Sequence, residues 1–76
     1  MSKLALVTSK EMCKIAERRG FQKLRQKGSH ATYADNYGNA TVIPMHAGDM
    51  KRSLIRSIIR DLGLTIDEYE QLRKGC

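Results

Sequence analysis

The sequence predicts a single small α+β domain in which a helix, three strands and a second helix follow one another, with a short C-terminal helix behind them. Three observations predict it. Thr8-Ser9-Lys10-Glu11 has the Thr-x-x-Glu spacing of a capping box, followed by Met12, Ile15 and Ala16 at helical intervals. Two short strand-like runs flank the turn-forming Asn36-Tyr37-Gly38-Asn39. Leu54, Ile55, Ile58, Ile59 and Leu62 then form an apolar helical stripe that stops at Gly63. Both long helices are expected on one face of a three-stranded antiparallel sheet.

The first helix ends at Gly20, with Arg19 where its apolar stripe would continue. A first strand is expected over 21–26, and Lys27-Gly28-Ser29 forms the turn after it. Strands over 30–35 and 41–46 make a hairpin, and Pro44 puts the last of them at an edge or near its end. The second helix is expected over 50–62, capped by Asp49, with Arg52, Arg56 and Arg60 recurring on a solvated face. Thr65-Ile66-Asp67-Glu68 is a second capping box and opens the tail, which carries Ile66, Tyr69 and Leu72. The expected organisation is one domain over 1–76, with a core over 8–64 and a helical tail over 65–76.

At 76 residues the chain fits one domain, and a domain this short buries only about 60% of its unfolded surface, so any chemistry is expected on the surface. No apolar run approaches the length of a membrane span, and Leu4-Ala5-Leu6-Val7 is too short for a signal-peptide core. The expected location is the cytoplasm, with no membrane partner. Net charge is +6 and is concentrated up to Ala34, where eight basic residues face only Glu11 and Glu17. After Arg60 the balance turns acidic. A polyanion is the natural partner for the basic front and middle, although a small domain also uses such a charge for solubility.

Two histidines occur, His30 and His46. If residues whose numbers sum to 76 pair in the hairpin, His30 faces His46 and Thr32 faces Pro44, with Tyr33, Ile43 and Met45 on the opposite, covered face. Next to basic residues, an imidazole has chemistry with RNA that it lacks with DNA. The RNA 2′-hydroxyl is a built-in nucleophile, so cleavage needs proton transfer and cations around the phosphate, and no metal. Arg25 and Lys27 precede the His30 turn and are placed to hold phosphate. Lys51 and Arg52 open the second helix, where backbone N–H groups also attract anions. A passive surface role for these residues is the plainer alternative. Cys13, His30, His46 and Cys76 make a zinc set by count alone, with no ligand spacing, so no metal and no other cofactor is expected.

Ser9-Lys10-Glu11, Gly20-Phe21, Arg25-Gln26-Lys27-Gly28-Ser29-His30 with Tyr33, Pro44-x-His46, Leu54-x-Arg56-Ser57-Ile58 and Leu62-Gly63-Leu64 together resemble the HicA family from Ser9 to Leu64. That resemblance implies a fold like a double-stranded RNA-binding domain and a toxin of a bacterial toxin–antitoxin pair. The toxin would be an endoribonuclease, an mRNA interferase held inactive by a HicB-like antitoxin that masks its active surface. By the same resemblance His30 falls on the catalytic histidine and Gly28 and Ser29 on its flanking turn. His46 is the candidate second proton-transfer group. The competing reading is a non-catalytic double-stranded RNA-binding module, in which His30 and Lys51-Arg52 would contact duplex RNA.

Overall fold

A computed structural model describes residues 4–46 and 48–75. The elements are α1 (Ser9–Arg18), β1 (Gln22–Lys27), β2 (His30–Ala34), β3 (Ala40–Pro44), α2 (Arg52–Leu62) and α3 (Ile66–Lys74). The three strands form one antiparallel sheet in the order β1-β2-β3, so the predicted α+β class and element order hold. Lys3, one of the eight basic residues up to Ala34, and Cys76 of the zinc count lie outside the described residues.

Local rules explain the ends of α1 and α3. The Thr8 hydroxyl accepts from the Glu11 N–H at 3.2 Å while the Glu11 carboxylate accepts from the Thr8 N–H at 2.9 Å. Thr65 and Glu68 repeat the exchange at 3.1 and 2.8 Å. These bonds to the capping threonine hold the carboxyls of Glu11 and Glu68 below their ordinary range.

The start of α2 departs from expectation. Its N-cap is Lys51, no side chain caps it, and the helix begins at Arg52, so neither Asp49 as cap nor Met50 as first residue holds. The cause lies far away in sequence. Asp49 bridges to Thr8 in antiparallel fashion, and the Met50 N–H donates to the Val7 carbonyl at 2.9 Å. This pairing keeps 49–50 extended and delivers Met50 to the core, where it is buried.

Alternation in the strands fixes the two faces of the sheet. Ala31, Tyr33, Thr41 and Ile43 are buried beneath the helices, while His30, Thr32, Val42 and Pro44 lie on the other face. α1 and α2 pack against β3, and α1 also reaches β1, yet every residue of β1 stays exposed. Phe21, expected as the first strand residue, instead precedes β1 and is buried in the core. A bulge between Lys23 and Arg25 leaves Leu24 out of register and exposed.

The core joins Val7, Met12, Ile15, Ile43, Met50, Ile55, Ile58 and Leu62. Ala16 is fully buried, and Arg19 caps α1 and donates through Nε to the Leu62 carbonyl at 3.1 Å, tying the C-terminal ends of α1 and α2 together. Tyr69 anchors α3, its ring buried and its hydroxyl donating to the Ala5 carbonyl at 2.6 Å. Burial, and then contact with the Cys13 thiol, pushes the Tyr33 hydroxyl well above its usual range.

Candidate active site

The hairpin register sets the neighbours of His30. Residues summing to 74 pair, so His30 stands opposite Pro44 and Thr32 opposite Val42; the expected pairs of His30 with His46 and of Thr32 with Pro44 are both overturned. The turn explains the shift. Asp35 and Asn39 close it, and one Asp35 oxygen accepts from the Tyr37 and Asn39 N–H groups while the other accepts from the Asn39 amide. This leaves Asn36, Tyr37 and Gly38 as a three-residue loop, with Gly38 at φ 88°. A shift of two preserves the face of each paired side chain, so His30, Thr32 and Pro44 keep the open face and Tyr33 and Ile43 the covered one, while Met45 and His46 lie past the end of the strand.

On its other side His30 pairs with Lys27 of β1, and Arg25 pairs with Thr32. Partners across a ladder share a face. The open face therefore carries the imidazole of His30 with the cations of Lys27 and Arg25 in the adjacent strand, and all three are exposed.

The two-residue turn between Lys27 and His30 is built by Gly28 at φ 59° and Ser29, a pattern that fits the first position of a type II′ turn. Its carbonyls are engaged: that of Gly28 accepts from the Gln26 side-chain amide at 3.1 Å, and that of Ser29 accepts from the Met45 N–H. The N–H groups of Gly28 and Ser29 meet no acceptor among the described residues. They are main-chain donors beside His30, of the kind that receive phosphate oxygens.

His46 lies beyond the end of β3. Its main chain is tied to α1, where the Ser9 hydroxyl accepts from the His46 N–H at 3.3 Å and donates to the Pro44 carbonyl. Through Ser9 and the Thr8–Asp49 bridge, the N-terminal ends of α1 and α2 come to the same end of the sheet as His30. The two ends differ chemically. α1 closes its N-terminus with the Thr8–Glu11 exchange, whereas α2 has no side-chain cap, no acid in its first turn, and Lys51 and Arg52 at its positive end. This end of α2 is left open to an external anion.

The chain matches, over residues 9–64, the family described as HicA toxin of bacterial toxin-antitoxin. It belongs to the HicA toxin family. That stretch takes in the core from α1 through α2 and leaves α3 outside. Membership makes the chain the toxin of a toxin–antitoxin system and implies an antitoxin partner. No curated protein matches it. Among the described residues no helix is long and apolar enough to cross a membrane, and no three His, Cys, Asp or Glu side chains gather as a metal site.

Two features of this toxin's site escaped the reading of its sequence. Ser9 as the tie to β3 carries no local signal, since its partners are 35 and 37 residues away. The open N-terminus of α2 was hidden by Asp49, a residue type that favours capping but is held elsewhere.

Proposed function

We propose that the chain is a metal-independent endoribonuclease that cleaves mRNA, with His30 as its proton-transfer group. The observation that carries this reading is the placement of an exposed imidazole on a hydrogen-bonded turn, beside Lys27 across the ladder and next to two main-chain N–H donors.

The RNA 2′-oxygen attacks the adjacent phosphorus, a bond forms there, and the bond from phosphorus to the 5′-oxygen breaks. The products are a 2′,3′-cyclic phosphate and a 5′-hydroxyl. The 2′-hydroxyl gives up one proton and the 5′-oxygen takes one, so the step is proton-neutral and calls for no redox partner. His30 exchanges one of those protons. Arg25, Lys27 and the N–H groups of Gly28 and Ser29 stabilise charge on the phosphate oxygens, and Lys51 and Arg52 at the open end of α2 hold the flanking strand. His46 is the candidate second proton-transfer group, reaching the site from the loop after β3 rather than from across the ladder.

An acidic protein covering this basic, open surface is the simplest control, and a HicB-like antitoxin is the proposed partner. The uncapped α2 with Lys51-Arg52 also suits the rival reading, a non-catalytic module that binds duplex RNA. Single-stranded RNA offered to the parent and to His30→Ala separates them. Cleavage by the parent, lost in the variant while binding persists, supports the proposal; equal cleavage by both removes His30 from the mechanism. Duplex binding without cleavage by either favours the module.

A further inference from the structure

Along the solvent face of α2, Arg52, Arg56 and Arg60 line a groove together with Ser53 and Ser57. Successive arginines stand about 6 Å apart along the helix axis, a separation similar to that of neighbouring phosphates on a compact RNA strand. All three are exposed, and the ion pair of Arg73 with Glu70 lies within α3. Asp61, the carboxylate nearest in sequence, is turned to the sheet, where it accepts from the Thr41 hydroxyl at 3.0 Å. Like charges at every fourth position repel, so the helix itself gains nothing from the row. The row starts at Arg52, at the uncapped end of α2 that shares the His30 end of the sheet.

We infer that Arg52, Arg56 and Arg60 form a rail that tracks the phosphates of the RNA strand leaving the His30 site, so that the toxin grips a longer RNA segment than the nucleotides it cuts. The inference rests on the ribonuclease reading. Each guanidinium fork takes two phosphate oxygens, and the hydroxyls of Ser53 and Ser57 donate further bonds. The groove lining holds no apolar or aromatic side chain, whereas a protein partner anchors on such groups. Apolar lining appears instead in the neighbouring cleft, where Ile59, Leu64 and Ile66 lie beside Arg56 and Arg60.

The test uses the His30→Ala protein, so that RNA stays intact, with and without Arg56→Gln and Arg60→Gln. Fluorescence anisotropy follows labelled single-stranded RNAs of graded length, and a trinucleotide too short to reach Arg56 serves as the internal reference. The double substitution is expected to weaken binding of the long RNA by about tenfold and to lower its salt dependence by two phosphate contacts, a slope change of about 1.4. Equal binding of long RNA with and without the substitutions overturns the rail and leaves the RNA reading of His30 standing. Should antitoxin binding fall instead, the row belongs to a protein interface. If neither protein binds RNA of any length, the rail and the ribonuclease reading fall together.

Discussion

His30 stands directly across the β2–β3 ladder from Pro44, while His46 lies two residues past that strand's end. The imidazole thus sits between a cation, Lys27, in one neighbouring strand and an apolar ring in the other. The end of β3 beside it is held by the Ser9 hydroxyl and the Ser29 carbonyl. This is a rigid mount for an exposed side chain, and it suits a proton-transfer group that must be accessible to a large substrate.

Ser9 is the tie most open to test. Its buried hydroxyl serves the Pro44 carbonyl and the His46 N–H, so Ser9→Ala strands both groups and is expected to cost about 1–3 kcal/mol of stability. Urea denaturation measures the loss, and hydrogen exchange is expected to quicken at the His46 amide.

Lys51→Ser puts a good capping side chain at a residue whose backbone already has the extended N-cap conformation, φ −67° and ψ 147°. Stability is expected to rise by about 0.5–1 kcal/mol while RNA affinity falls, because the same change fills the open helix end and removes a cation. Thermal unfolding and an RNA-binding titration of one preparation check both directions. A fall in stability would show that Lys51 is held by contacts other than the helix end.

Tyr69 links pH to stability. Burial raises its hydroxyl to about 12, above the ordinary value of 10.0 in the unfolded chain. Between these values the folded chain binds more protons than the unfolded one, so the contribution is complete below about pH 10 and is lost as pH rises toward 12. Denaturation midpoints are expected to fall across that window, and to fall less steeply in Tyr69→Phe. A midpoint that falls equally in both proteins would contradict the assignment.

What the sequence disclosed followed the range of the interactions involved. The capping boxes at Thr8 and Thr65 are three-residue rules, and both are present in the structure. The stripe from Ile55 to Leu62 is one helix face reading its own period, and it is buried. Hairpin register was less legible, because alternation is unchanged by a shift of two; the Asp35 clamp chose between registers that the apolar pattern leaves equal. That is why the face of His30 was readable and its partner was not. The start of α2 depends on Val7 and Thr8, more than forty residues away, and no local preference of Asp49 reveals it.

His30 is proposed to drive RNA cleavage without a metal. The most direct measurement incubates the parent and His30→Ala proteins with one defined single-stranded RNA in EDTA and reads both the rate and the fragment ends. The expected result is 2′,3′-cyclic phosphates and 5′-hydroxyls from the parent and a rate at least about 100-fold lower in the variant. Cleavage at equal rates, or cleavage by the parent that EDTA abolishes, would contradict it.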